Sequence, residues 1–171
     1  GKQKFGSVDA FERAIREAPA PDTIAEQLAR ARQSRLTKPP GALGRLEDFA
    51  VFVAGWQRRE RPVIAKVAAI VFAGNHGVVQ QGVSPYPAAV TAQMVANFDA
   101  GGAAINAISR SLGIDMRVVA LDLDKPTGDI SLEPAMNDAE CLDAMNRGAG
   151  AVIEVGADLL VFGEMGIGNT T

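Results

Sequence analysis

Cysteine occurs once in this chain, at Cys141, so an internal disulfide is excluded and no cysteine-rich zinc site can form. That scarcity fits a reducing compartment. Histidine also occurs once, at His76, and the sequence shows it no partner for a triad or a metal-ligand cluster. Tyrosine is single too, at Tyr86. Neither sign of charge dominates: 17 Lys and Arg stand against 20 Asp and Glu, a net of −3. There is thus no global basic field to draw nucleic acid or an anionic membrane, and a phosphate ligand would be held by local geometry. No apolar run reaches the length of a membrane span. The opening stretch, GKQKFGSVDAFERAI, has no apolar signal core. These absences imply a cytoplasmic protein, and Gly1 in place of Met implies a trimmed start.

What is present is ordinary globular material: 47% hydrophobic residues and 22% charged over 171 positions. That length suggests one domain with a small appendage, able to bury a core without staples. Three helical patterns come first. Val8 to Glu17 is short and amphipathic and stops at Pro19 and Pro21. Asp22 is an N-cap for a second helix to about Leu36, with Ile24, Leu28 and Ala31 on one face. After the breaker Thr37-Lys38-Pro39-Pro40-Gly41, a third helix runs from about Gly44 to Arg58. Leu46, Phe49, Ala50, Val53 and Trp56 form its apolar stripe.

Beyond Pro62 the texture changes. Val67 to Ala73 is a continuous apolar run ending at Gly74, the pattern of a strand buried on both faces. Helices follow over about Ala88 to Phe98 and Gly102 to Leu112. Met116 to Asp122 predicts a second strand, Asp138 to Val155 a helix, and Leu159 to Phe162 a third strand. Strand alternating with helix predicts an α/β fold: a parallel, Rossmann-like sheet with flanking helices, preceded by a small helical layer. The expected division is residues 1–61 helical and 62–171 α/β.

In such sheets ligands sit beyond the carboxyl ends of the strands. Three loops leave those ends: Gly74 to Pro87, Asp122 to Ala135, and Gly163 to Thr171. The last reads GEMGIGNTT. Glycines at 163, 166 and 168 let the backbone turn tightly and present N–H groups, and Asn169, Thr170 and Thr171 are helix-starting residues that could aim a positive helix end at an anion. A glycine-rich turn with no ligand reads the same way by spacing. The pattern is neither a Walker loop nor a GxGxxG fingerprint. Because a helix start stands at the last residues and three strands are a thin scaffold, the chain also reads as part of a longer protein.

In the first loop, Asn75 and His76 lie at a strand's carboxyl end between glycines. His76 can be functional or satisfied by loop backbone. Tyr86, held between Pro85 and Pro87, could stack on a planar heterocycle or plug the end of the core. Ser84 and Gln93 could hydrogen-bond a ring nitrogen or be caps and surface groups.

Four segments carry a family resemblance: TKPPGALGRLEDFA (Thr37 to Ala50), FAGNHGVVQQGVSPYPAAVTAQMVANFDAGGAAIN (Phe72 to Asn106), Val119 to Asp124, and GEMGIGNTT. Together they resemble the nicotinate-nucleotide–dimethylbenzimidazole phosphoribosyltransferases, in their N-terminal half. The resemblance implies transfer of the phosphoribosyl group of nicotinate mononucleotide to 5,6-dimethylbenzimidazole, giving α-ribazole 5′-phosphate and nicotinate for cobalamin synthesis. It implies that Ser84, Tyr86 and Gln93 line the benzimidazole pocket and that Met165 lies against the same ring. Glu164, Gly166, Gly168, Asn169, Thr170 and Thr171 would meet the nucleotide, with the glycines near its phosphate. The family's general base is a glutamate, assisted at the phosphate by a lysine, and both belong to a C-terminal half that these residues do not include. Glu164 is thus expected to orient ribose or ring and not to replace that base. The resemblance also implies a homodimer, with no cofactor and no metal. Two other readings stay open: a heterocycle- or nucleotide-binding fragment without chemistry, and a generic Rossmann-like nucleotide domain.

Overall fold

The structure is a computed structural model, and it describes residues 5–171. It contains helices α1 (Val8–Arg16), α2 (Thr23–Gln33) and α3 (Arg45–Gln57), then strand β1 (Val67–Gly74). A short 3-10 helix (Gly77–Gln81), α4 (Ala89–Asp99), α5 (Ala104–Leu112) and β2 (Asp115–Leu121) follow. The last elements are α6 (Asp138–Val155) and β3 (Leu159–Met165).

The described residues divide into two compact units: Arg13–Ile64, and residues 5–12 with Ala65–Thr171. In the first, Asp22 caps α2 by accepting from Ile24 N–H (2.9 Å) and Ala25 N–H (3.1 Å), the role its short carboxylate suits. The two helices meet through small residues. Ala29, Val51 and Ala54 form the buried cluster, and Gly55 lies against the Glu26 side chain. The apolar stripe read from spacing does not make this contact. Ile24, Leu28, Leu46, Phe49 and Trp56 are all about half exposed or more. Helix pairs come closest where side chains are smallest, so alanine and glycine set the contact and the bulky residues flank it. Helix α2 also ends at Gln33, short of Leu36: the Ser34 hydroxyl turns back on the Ala31 carbonyl and Arg35 N–H donates to the Arg32 carbonyl, a tighter turn than the α-helix.

The second unit is built on a three-stranded parallel sheet in the order β2-β1-β3. The central strand is the apolar run, and Ala68, Ala69, Ile70, Val71 and Ala73 are buried. Alternation sends Ala68, Ile70 and Phe72 to one face, where Val152 and Val155 of α6 pack on them. The other face receives α4 and α5, with Asn106 of α5 reaching the sulfur of Met116 on β2. The chain steps outward from β1 to β2 and then returns across β1 to β3. Right-handed crossovers in opposite directions put their helices on opposite faces, as observed. Residues 5–12 join this unit: Phe5 exchanges two hydrogen bonds with the Asn146 amide, at 2.8 and 3.0 Å.

The third strand runs further than the sequence implied. Gly163, Glu164 and Met165 pair with Val71, Phe72 and Ala73, so they are strand and not loop. Gly163 fits because a Cβ there would lie 3.1 Å from the Val71 side chain. A strand glycine commonly marks such close approach.

Candidate functional site

The parallel order sets the carboxyl ends of β1, β2 and β3, and the loops that leave them, along one end of the sheet. Ligand crevices of open α/β sheets form beyond such ends. Three loops meet there and are stitched together.

The loop after β1 is tied to the loop after β2. Thr127 N–H donates to the Asn75 carbonyl (3.1 Å), the Asn75 amide donates to the Leu123 carbonyl (2.9 Å), and Gln81 donates to Asp129 (2.7 Å). Gly77 fits against the backbone of residues 127–129, where a Cβ would stand 2.5 Å from the Thr127 oxygen. The serine hydroxyl at 131 and the Gln81 amide hold the Asp129 carboxyl below the usual range.

The turn after β3, residues 166–171, lies on the same loop. Gly166 is buried, and a Cβ on it would meet the Gly74 carbonyl and stand 2.9 Å from His76 Nε2. Gly168 has φ +87° and rests on Val78 and Val79. That conformation strains any side-chain-bearing residue. Asn169 N–H donates to the Gly166 carbonyl (3.1 Å) and Thr171 N–H to the Gly168 carbonyl (3.4 Å), so residues 166–171 form a closed turn. Asn169, Thr170 and Thr171 are exposed on it. Between them Ile167 N–H donates to the Thr91 hydroxyl of α4 at 3.2 Å.

The other expected residues fall in two places. Ser84 accepts the Tyr86 N–H at 3.2 Å, a local turn that leaves the hydroxyl proton free to donate. Tyr86 is 61% exposed, and Gln93 is exposed on α4, so both residues are open to solvent. Met165 shares the α4 face of the sheet with Ala73, its partner on β1. Glu164 is paired with Phe72 and so projects to the opposite, α6 face.

Asn75 and His76 instead line an open cleft of about 820 Å³ at the ends of β1 and β2, and the remaining expected residues stand outside its lining. Sequence reasoning missed the charged groups of this cleft. Arg147 of α6 makes a two-pronged bond to Asp122, at 2.9 and 3.2 Å, and approaches Asp143 at 4.0 Å. The Arg147 guanidinium holds the Asp122 carboxyl below its usual range, and Asp122 in turn raises Arg147. Asp122 sits at φ +43°, just past the end of β2. The signal was faint: an aspartate ending a strand and an arginine 25 residues later on a helix. Among the described residues, no group of three or more His, Cys, Asp or Glu is arranged to hold a metal ion. No helix among them is long and apolar enough to cross a membrane.

Comparison with known proteins extends this geometry. A family model described as phosphoribosyltransferase matches residues 18–171. The nicotinate-nucleotide–dimethylbenzimidazole phosphoribosyltransferase of Novosphingobium aromaticivorans is 58% identical over 98% of this chain and 49% of its own length. That of Methylorubrum extorquens is 53% identical over 96% of this chain and 48% of its own length. A crystal structure of the Thermus thermophilus protein of the same name superposes with a TM-score of 0.83. It is 38% identical and covers 87% of this chain and 51% of that one. The chain thus spans about half the length of the curated relatives it matches. With the family model covering nearly the whole sequence, this chain belongs to the nicotinate-nucleotide–dimethylbenzimidazole phosphoribosyltransferase family.

Proposed function

We propose that this chain forms part of the active site of an enzyme that moves phosphoribose from nicotinate mononucleotide to 5,6-dimethylbenzimidazole, a step of cobalamin synthesis. A benzimidazole nitrogen forms a bond to ribose C1, and the C1–nicotinate bond breaks with its electron pair on the departing nicotinate. The benzimidazole gives up its N–H proton, so the transfer needs no redox partner and a base to accept the proton. By family resemblance that base is a glutamate outside these 171 residues.

The observation that carries the reading is the junction of the glycine turn with α4. The bond from Ile167 to Thr91 holds the glycine turn beside the helix that bears Gln93 and follows Tyr86. Tyr86, Ser84, Gln93 and Met165 form the heterocycle wall in this proposal. Gly166, Gly168, Asn169, Thr170 and Thr171 form the phosphate side. Glu164, across the end of the sheet from Met165, orients the ribose hydroxyls. His76, beneath Gly166, supports the turn, and Asn75 ties it to the loop after β2. Inversion at C1 needs the two rings on opposite faces of the sugar, so positioning carries much of the rate. The working protein is a cytoplasmic homodimer in this proposal, and residues 1–61 and 62–171 act as its helical and α/β parts.

The test is titration of the isotope-labelled chain with 5,6-dimethylbenzimidazole. Shifts concentrated at Ser84, Tyr86, Gln93 and Met165 are expected, and shifts that avoid all four would overturn the assignment. The length of chain compared with its relatives favours a second reading for the isolated polypeptide, binding without chemistry. Incubation with nicotinate mononucleotide and dimethylbenzimidazole separates the two. No turnover is expected from this chain by itself, and turnover would show that the base lies within it.

A further inference from the structure

Thr91 is one of the two largest fully buried side chains, with 0% exposure, and its hydroxyl is the acceptor for Ile167 N–H. The turn after β3 has three anchors. Gly166 rests on the Gly74 carbonyl and the His76 ring, and Gly168 rests on Val78 and Val79. Those two are steric and tie the turn to the loop after β1. The Thr91 bond is the directional one, and it ties the turn to α4 across 76 residues of sequence. Thr91 lies in the first turn of that helix, two residues before Gln93 and five after Tyr86. A valine would fill the same space, so packing alone does not call for a hydroxyl here. Ile167 is half-buried, and without the hydroxyl its N–H loses this acceptor, so the bond bears on where the turn sits.

We propose that Thr91 is a positioning residue. Its hydroxyl sets the spacing between the heterocycle wall at Tyr86 and Gln93 and the phosphate-facing turn at Gly166 to Gly168. It touches neither substrate, and its effect on binding passes through Ile167. This rests on the function proposed above and adds to it a residue that fixes how the two ligand surfaces meet.

The experiment compares Thr91→Val and Thr91→Ser with the wild-type chain by two readouts. The first is hydrogen exchange at the Ile167 amide. The second is affinity for 5,6-dimethylbenzimidazole, measured with the compound itself by titration. Thr91→Val should raise Ile167 exchange and weaken benzimidazole affinity, each by about 3- to 10-fold, the usual worth of one net hydrogen bond. Thr91→Ser keeps the acceptor and should restore both. A valine variant with unchanged Ile167 protection would overturn the tie. So would serine and valine variants that lose affinity equally, since that pattern reports packing. If the wild-type chain protects Ile167 but binds no heterocycle, the function reading falls and takes the heterocycle role of Thr91 with it. The Thr91–Ile167 tie is then still decided by exchange.

Discussion

Replacing Gly166 with alanine tests whether the turn is held by close backbone contact. The new Cβ would stand inside contact distance of the Gly74 carbonyl oxygen, 2.9 Å from His76 Nε2 and 3.2 Å from its Cδ2. A backbone carbonyl in the central strand cannot retreat without disturbing the pairing of Gly74 with Leu121. The histidine ring can rotate, but it is wedged below the same glycine. Overpacking of this kind costs ~1–3 kcal/mol. Gly166 does not have positive φ, so alanine brings no backbone strain and recovers ~0.4–1 kcal/mol by restricting the unfolded chain. At the midpoints of the two ranges the net expectation is a loss of ~1.3 kcal/mol. For a chain of this size that lowers the melting temperature by roughly 3–5 °C. Thermal unfolding followed by circular dichroism measures the shift, and hydrogen exchange at residues 166–168 locates it. An unchanged or raised melting temperature, with protection at Ile167 intact, would refute the claim that the turn needs a bare backbone there.

Gly148 of α6 is the converse case, a mid-helix glycine whose Cβ would meet nothing within 4 Å. Gly148→Ala should raise stability by ~0.5–1 kcal/mol in the same melts. Asp22→Ala removes the acceptor for two N–H groups of α2 and should cost ~1 kcal/mol, seen as faster exchange at Ile24 and Ala25. Arg147→Met should return the Asp122 carboxyl to its ordinary range. The depressed folded pKa of Asp122 means its pairing stabilises the chain above the unfolded aspartate value and is lost as pH falls through the folded one. The stability gap between wild type and Arg147→Met should therefore be present at neutral pH and close in acid; a gap that widens on acidification would contradict the pairing.

Much of the α/β framework was legible because its signals are local. An unbroken apolar run marked β1, and the helix expected over Asp138 to Val155 has those bounds in the structure, where Asn137 and Gly156 cap it locally. Asp22 declared a helix start in the same way. The family resemblance named the turn and the Ser84–Tyr86 segment as candidate surfaces. What stayed hidden depends on contacts distant in sequence. Period analysis scores bulk, so it marked Leu46, Phe49 and Trp56 on α3, while the helix contact uses Val51, Ala54 and Gly55. Gly163 reads as a loop residue until Val71 is seen beside it. Thr91 resembles any threonine early in a helix, and only the fold brings Ile167 to it. The Asp122–Arg147 bond likewise needs β2 and α6 to be assembled first.

Glu164 and Met165 are neighbours in sequence, yet the register of β3 gives them to opposite faces of the sheet. The two sides of the crevice are therefore set by the parity of a residue count. A point substitution alters one side and leaves the other as it was. A one-residue insertion or deletion between Leu159 and Glu164 would exchange them, sending a carboxylate toward α4 and a thioether toward α6. Variation in this strand should consequently proceed by replacement and not by change of length.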